Sequence, residues 1–185
     1  MTLLEMKKKV LGLIEEVNPD SALLTDDPDI ATKLNDVINQ IMFELARMKK
    51  IPKYIEMEVA AGDLIDFARL ESECGYEIYQ IKYVTGVGYE TRADGTLLKI
   101  LDSGTAEIDV FVYPEAITSK TKDTYEFELT PDVLEIMPYG VAADLLATDV
   151  SSNVQEFRQR YEIMLTRLDT RNHMPSVSIV GGIDV

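Results

Sequence analysis

The pattern of the chain changes within one stretch, Asp26–Val59, which reads DDPDIATKLNDVINQIMFELARMKKIPKYIEMEV. Up to Lys50 its apolar residues recur at helical spacing, and after Pro52 apolar and polar residues alternate. Asp27 followed by Pro28 is a typical helix start, with aspartate as the N-cap and proline in the first turn. The stretch therefore predicts a long helix that is followed directly by a β-strand.

Amphipathic helices are predicted at both ends of the chain. Residues 3–17 repeat apolar side chains at helical spacing ahead of the long helix. The Thr-Pro pair at residues 130–131 is another start signal, Pro138 predicts a break or a restart, and Ser151 or Ser152 caps a last helix. Such helices can bury their apolar faces only against one another, so they predict one bundle. The side chains expected at its helix–helix contacts are Leu34, Ile38, Ile41, Leu45, Leu145, Phe157 and Tyr161.

The middle of the chain has the pattern of a small antiparallel β module. Segments rich in strand formers alternate with turn signals, and Ala93–Thr96 predicts a hairpin turn. Residues 106–113 predict a further strand that ends at Pro114, and Thr124–Leu129 predicts the last one. We therefore predict an α+β fold: a helical bundle formed by the N- and C-terminal helices (residues 1–50 and 130–172), an inserted small antiparallel β module (51–129) and an extended C-terminal tail (173–185).

The composition excludes several classes of function. The 185 residues include 18 Lys and Arg against 33 Asp and Glu, a formal net charge of −15, which is unfavourable for gripping nucleic acid. The short basic clusters at residues 7–9, 47–53 and 158–171 lie among carboxylates, which favours solvated helix faces. A single cysteine and a single histidine exclude an internal disulfide and a zinc site built from these residues in one chain. No apolar run approaches the roughly 18–20 residues of a membrane span.

The candidate reactive residues favour structural roles. The carboxylates of Asp26, Asp27 and Asp29 lack the spacing of a calcium loop, and helix-start charge is their favoured explanation. A second group consists of Asp66, Glu71 and Glu73. Gly86–Gly88 indicates a hairpin or bulge, Cys74 has acidic neighbours, and His173 is expected at the surface. We therefore expect no catalytic residue, cofactor or metal. A hydrolase that uses clustered carboxylates stays open as an alternative.

The last residues, from Pro175 onward, are apolar and β-prone. Alternation in this segment favours an extended strand that is added to another subunit, against the alternative of a frayed end. The side chains expected to dock on a neighbour or a partner are Val177, Ile179, Val180 and Ile183.

A pattern near the C-terminal end resembles a known family. The stretch Leu134–Leu146, LEIMPYGVAADLL, continues through Asp149, Asn153, Phe157 and the Tyr-Glu pair at 161–162. It is similar to the closing helices of head–tail connector proteins (adaptor, or head-completion, proteins) of tailed bacteriophages. The resemblance covers about the last quarter of the chain. The β insertion departs from the simple, mostly helical adaptors and is more like the larger adaptors and tail-tube proteins of short-tailed phages.

The resemblance implies a non-enzymatic structural protein of the virion. Its subunits, made in the cytoplasm of the bacterial host, would form a ring, expected to be a dodecamer, at the head–tail interface. The implied partners are the portal protein and a tail or stopper protein, and DNA would pass through the channel without sequence-specific binding. The alternative class is a non-enzymatic protein-binding module, such as an assembly chaperone or regulator, that uses the β domain.

Overall fold

Along the sequence, helices at both ends of the chain flank a set of strands in the middle. The computed structural model describes residues 1–18, 20, 24–147 and 152–172. The elements in these ranges are α1 (Leu3–Leu13), α2 (Pro28–Met48), β1 (Ile51–Val59), β2 (Leu64–Asp66), α3 (Phe67–Cys74), β3 (Ile78–Thr85), β4 (Tyr89–Arg92), β5 (Leu97–Ile100), β6 (Gly104–Val112), α4 (Pro131–Leu145) and α5 (Ser152–Asn172). The predicted α+β class is therefore confirmed.

The bundle is built around α4, which packs against α1, α2 and α5. Because α4 has neighbours on several sides, most of its side chains are buried, including Pro138 and Val141. Its apolar sequence suits a central helix better than a surface helix. The stripe of α2 faces the same core through Ile38 and Leu45, which are fully buried.

Local signals fix where the first two helices begin. Thr2 caps α1 in a reciprocal capping box with Glu5, in which each side chain accepts a hydrogen bond from the other residue's backbone N–H. Asp27 caps α2 by accepting hydrogen bonds from two backbone N–H groups of the first turn. Pro28 occupies the first turn, as the sequence predicts, and α2 ends at Met48 just before the strand.

The inserted module consists of two three-stranded antiparallel sheets. Their strand orders are β1-β6-β3 and β2-β5-β4. The predicted hairpin at Ala93–Thr96 joins β4 to β5 through a short 3₁₀ turn. Buried side chains of both sheets, among them Ile65, Leu98 and Ile108, form a second core that is separate from that of the bundle. Alternating burial along β1 shows one face of its sheet in this core and the other in solvent.

The strand predicted at Thr124–Leu129 is wrong. This segment runs along the start of the chain, where the Leu3 backbone N–H donates to the Tyr125 carbonyl at 2.8 Å. Its apolar side chains, Phe127 and Leu129, are buried in the core of the bundle. Their alternation therefore serves contact with helices, and the strands of the β module end at Val112 instead of continuing to residue 129.

Two further local expectations differ from the structure. Pro138 neither breaks nor restarts a helix, because α4 runs continuously from Pro131 to Leu145. Proline removes one helical hydrogen bond, and the extensive burial of α4 on its neighbours offsets this cost. The short α3 was not expected: it buries only Leu70, so its sequence carries little helical periodicity, although Asp66 caps its start.

The two cores meet where β1 and β6 leave the bundle. Ile51, at the start of β1, contacts the buried clusters of both parts. It is paired directly with Val112, the last residue of β6. Both covalent connections between bundle and module therefore lie side by side. Among the described helices, none combines the length and the apolar content that crossing a membrane requires.

Candidate functional site

The residues of the C-terminal motif meet between α4 and α5. Gly140 of α4 lies against the ring of Tyr161 of α5, and a Cβ atom added to the glycine would come within 2.7 Å of the ring carbon Cε2. Such a distance is a steric overlap, so the absence of a side chain at Gly140 permits this contact. The pattern that suggested a family resemblance thus corresponds to a close helix–helix contact.

Tyr161 is buried, with 6% of its surface exposed. Its hydroxyl makes no hydrogen bond of ordinary geometry within the described residues. Burial, followed by the nearby carboxylate of Glu44 on α2, raises the pKa of Tyr161 far above its usual value. The phenol therefore stays neutral at physiological pH and serves packing.

Polar contacts also connect α4 and α5. Arg158 Nη2 on α5 donates to Asp144 Oδ1 on α4 at 2.6 Å, and Gln40 Nε2 on α2 donates to the other carboxylate oxygen at 3.2 Å. The Arg160 guanidinium lies 4.7 Å from the ring centroid of Tyr139. Asp144 thus links three helices, and two arginines of the third basic cluster have partners within the chain.

The second basic cluster lies at the junction between bundle and β module, on aromatic rings. Arg47 stacks on Tyr113, Lys50 Nζ lies 4.6 Å from the ring centroid of Phe111, and Lys53 Nζ lies 4.0 Å from that of Tyr76. Arg47 is exposed on α2, as expected for a solvated helix face, and Lys50 is exposed just beyond the end of that helix. Lys53 departs from the expectation, because it is half-buried and lies on β1. Sequence reasoning missed this arrangement because the rings lie more than twenty residues away in sequence, Phe111 on β6 and Tyr76 and Tyr113 just outside β3 and β6.

Lys53 illustrates how the junction holds its cations. Its ammonium pairs with the carboxylate of Glu128 at 3.3 Å. Burial disfavours the charged form, but hydrogen bonds to Tyr76 and Glu128 outweigh burial and raise the pKa of Lys53. The ammonium group of Lys53 is thus engaged by Glu128 and Tyr76 of the same chain.

Most helix-contact residues expected from the sequence lie in one buried cluster, the core of the bundle. These are Leu34, Ile38, Ile41, Leu45, Leu145 and Tyr161. Phe157 departs from the expectation, because it is only half-buried and lies outside that cluster. The docking residues proposed for the tail, Val177, Ile179, Val180 and Ile183, lie outside the described residues.

Several carboxylates of the two groups have structural partners. Asp27 and Asp66 cap α2 and α3, and Glu71 Oε1 accepts a hydrogen bond from the Ile78 backbone N–H at 2.9 Å. Within the described ranges no three His, Cys, Asp or Glu side chains are grouped to hold a metal ion.

Of the remaining candidates, Gly86 and Cys74 lie in structural positions. Gly86 has φ of +85°, and an added Cβ would come within 2.2 Å of the Thr105 carbonyl oxygen, which explains glycine where β3 ends. Cys74 is half-buried with its thiol 3.6 Å from the Tyr76 carbonyl oxygen. His173 lies outside the described residues.

The solvent face of sheet β1-β6-β3 carries tyrosines and carboxylates. Tyr54 on β1 and Tyr83 on β3 are both paired with Asp109 on the central strand, and they are 56% and 46% exposed. One step along the sheet, Glu56 lies directly opposite Glu107. Partial burial and the carboxylates of Glu107 and Glu56 raise the pKa of Tyr54, and interaction with Asp109 raises that of Tyr83. Sequence reasoning missed this face, because strand register brings its residues together.

In comparisons with known proteins, no protein-family model matches the chain, and no curated protein matches it.

Proposed function

We propose that the chain is a structural, non-enzymatic adaptor subunit of a tailed bacteriophage. It would act in a ring at the head–tail interface of the virion, between the portal and a tail or stopper protein. The observation that carries the proposal is the α4–α5 pair. Residues that resemble the closing helices of connector proteins pack together there, with Gly140 against Tyr161 and Asp144 bound to Arg158.

A ring requires one head-to-tail contact that repeats around a closed circle. The outer helix α5 offers a surface for such a contact, since it packs mainly on α4 and leaves Ile163 47% exposed. An interface of standard size buries about 1,600 Å² in total. Many weak contacts of this kind become strong in a closed assembly through effective concentration.

The charge distribution suits a protein that surrounds DNA without holding it. The net charge is −15, and cations such as Arg47, Lys53 and Arg158 are engaged by rings and carboxylates of the same chain. Phosphate binding draws its affinity from available Lys and Arg side chains. We therefore expect no retardation of duplex DNA in a gel-shift assay at about 150 mM salt. A stable shift with duplex DNA would contradict a passive channel.

The segment from Pro175 is the proposed attachment element of each subunit. Deleting residues 175–185 should leave the circular dichroism spectrum and the unfolding midpoint of the chain unchanged, because the proposal seats this segment on a neighbour and not on its own chain. Attachment to the portal should be lost. Normal assembly of the truncated chain would refute a docking role for Val177 and its neighbours.

Negative-stain electron microscopy tests the proposal as a whole. The purified chain is imaged alone and after mixing with the portal protein, and rings stacked on the portal are the expected result. Mass photometry of the same samples gives the subunit number. A monomer under both conditions that binds one soluble partner would favour the alternative, a chaperone or regulator that works through its β module. Loss of an enzymatic activity on neutralising one buried carboxyl would favour a hydrolase.

A further inference from the structure

On the solvent face of sheet β1-β6-β3, one lysine of the chain contacts both a carboxylate and an aromatic ring. Lys82 Nζ lies 3.7 Å from Asp109 Oδ2 and 4.8 Å from the ring centroid of Tyr83. A carboxylate and an aromatic face together attract an ammonium group, through charge and through the ring quadrupole. This arrangement shows that the sheet face can seat a cationic side chain next to a tyrosine.

The other half of the face has the same chemistry without a cation. Tyr54 Oη is hydrogen-bonded to Glu56 Oε2 at 3.3 Å, which fixes the ring beside the carboxylate. Glu56 lies directly opposite Glu107 on the neighbouring strand. Like charges in directly opposite positions of a sheet repel each other. In the part of the chain that the structure describes, no Lys or Arg forms an ion pair with either glutamate.

We propose that this face binds a Lys- or Arg-bearing segment of another protein, with one cationic side chain seated over Tyr54 between Glu56 and Glu107. The bound cation would relieve the repulsion between the two carboxylates and would repeat, on β1, the contact that Lys82 makes on β3. Glu58, which accepts a hydrogen bond from Thr105 at 2.6 Å, extends the acidic row for a second cation.

Charge complementarity identifies the occupant as a different protein. A second copy of this chain brings another net charge of −15, so pairing two copies through this face adds repulsion. The chain's cations at the junction, Arg47, Lys50 and Lys53, are already seated on its own rings. A basic partner gains salt-bridge and cation–ring contacts together. The inference holds for a ring subunit and for a monomer alike, since the sheet face does not belong to the α4–α5 contact.

Binding of a defined probe tests the proposal. A fluorescein-labelled peptide of alternating Arg and Ser is titrated with the full chain, and anisotropy is recorded at about 50 mM and about 500 mM NaCl. The double variant Glu56→Gln with Glu107→Gln should lower the affinity about tenfold at low salt. The matched control, Glu156→Gln with Glu162→Gln, removes the same charge from exposed positions on α5 and should change the affinity less than about twofold.

A second pair of variants separates recognition from net charge. Tyr54→Leu keeps the bulk of the side chain but removes the ring face, and it should weaken binding about threefold. Glu56→Lys places a cation of the chain itself in the proposed site and should abolish binding of the peptide. The thermal midpoint should not fall, because the new lysine lies directly opposite Glu107 and can pair with it. Equal weakening by the α5 control would overturn the proposal, because attraction would then follow total charge alone. So would an absence of wild-type binding, or full affinity in the Glu56/Glu107 double variant.

Discussion

At the scale of the single residue, the contact between Gly140 and Tyr161 sets the distance between α4 and α5. We expect Gly140→Ala to lower the free energy of unfolding by about 1–3 kcal/mol, because the added methyl overlaps a buried ring. Urea unfolding followed by circular dichroism measures the change.

Gly12 offers the matched control for that substitution. It also lies inside a helix, but an added Cβ would meet only Val17 Cγ2 at 4.0 Å. Gly12→Ala should therefore raise the free energy of unfolding by about 0.5–1 kcal/mol through helix propensity. If both variants shift stability in the same direction, the close contact at Gly140 does not control the packing of α5.

The buried hydroxyl of Tyr161 gives a prediction of the opposite sign. It lacks a hydrogen bond of ordinary geometry within the described residues, so its removal leaves no partner unsatisfied. We expect Tyr161→Phe to raise the free energy of unfolding by about 1 kcal/mol, because the cost of desolvating the hydroxyl disappears. Chemical denaturation at neutral pH measures the gain. A loss of stability would mean that the hydroxyl, with Glu44 or with bound water, contributes a favourable interaction.

At the scale of the element, the start of α4 makes the stability depend on pH. The hydrogen bond from Thr130 lowers the pKa of Asp132 below 3.8, burial opposes this, and Lys49 adds to the lowering. The carboxylate therefore stabilises the fold above its unfolded pKa, and this contribution is lost as the pH falls through the folded value.

The urea midpoint of the wild-type chain should thus fall between about pH 5 and pH 3. Asp132→Asn should make this decline shallower, because the group no longer titrates. Thr130→Val, which removes the hydrogen bond that lowers the pKa, should also make the decline shallower, because the pKa of Asp132 in the folded state then lies closer to its unfolded value. A decline of the same slope in all three proteins would exclude Asp132 as its source.

The helices that could be predicted from sequence are those with strong end signals and a continuous stripe. Asp27 and Pro28 fix the start of α2, and its apolar stripe predicts its burial. Pro138 and the segment Thr124–Leu129 were misjudged because tertiary packing overrides local preference. The short helix α3 was not predicted, because a single buried residue gives its sequence no helical periodicity.

The candidate sites also divide into those that the local sequence predicts and those that depend on the fold. The α4–α5 motif was visible in sequence because its residues lie within one helical hairpin, although the contact between Gly140 and Tyr161 was not. The junction of cations and rings and the face with Tyr54 and Tyr83 depend on which strands pair and in which register. Register across distant strands has no local signature, so these surfaces emerge only from the fold.

At the scale of the whole molecule, the surplus of carboxylates works against the folded state. A net charge of −15 repels itself in the compact chain, and salt screens this repulsion. We therefore expect the thermal midpoint to rise by several degrees between about 20 mM and about 500 mM NaCl. Differential scanning calorimetry measures the shift. A fall would mean that ion pairs such as Arg158–Asp144 contribute more than the repulsion does.

The pairing of Ile51 with Val112 has a consequence for how such a chain can be altered. Directly paired residues of neighbouring antiparallel strands lie about 5 Å apart, so a tight turn can bridge the gap if everything between them is excised. The helical bundle could then be connected without the β module. It could also accept a foreign domain of any length whose two ends lie close together. Recognition can therefore be exchanged as a cassette, while the scaffold that presents it stays the same.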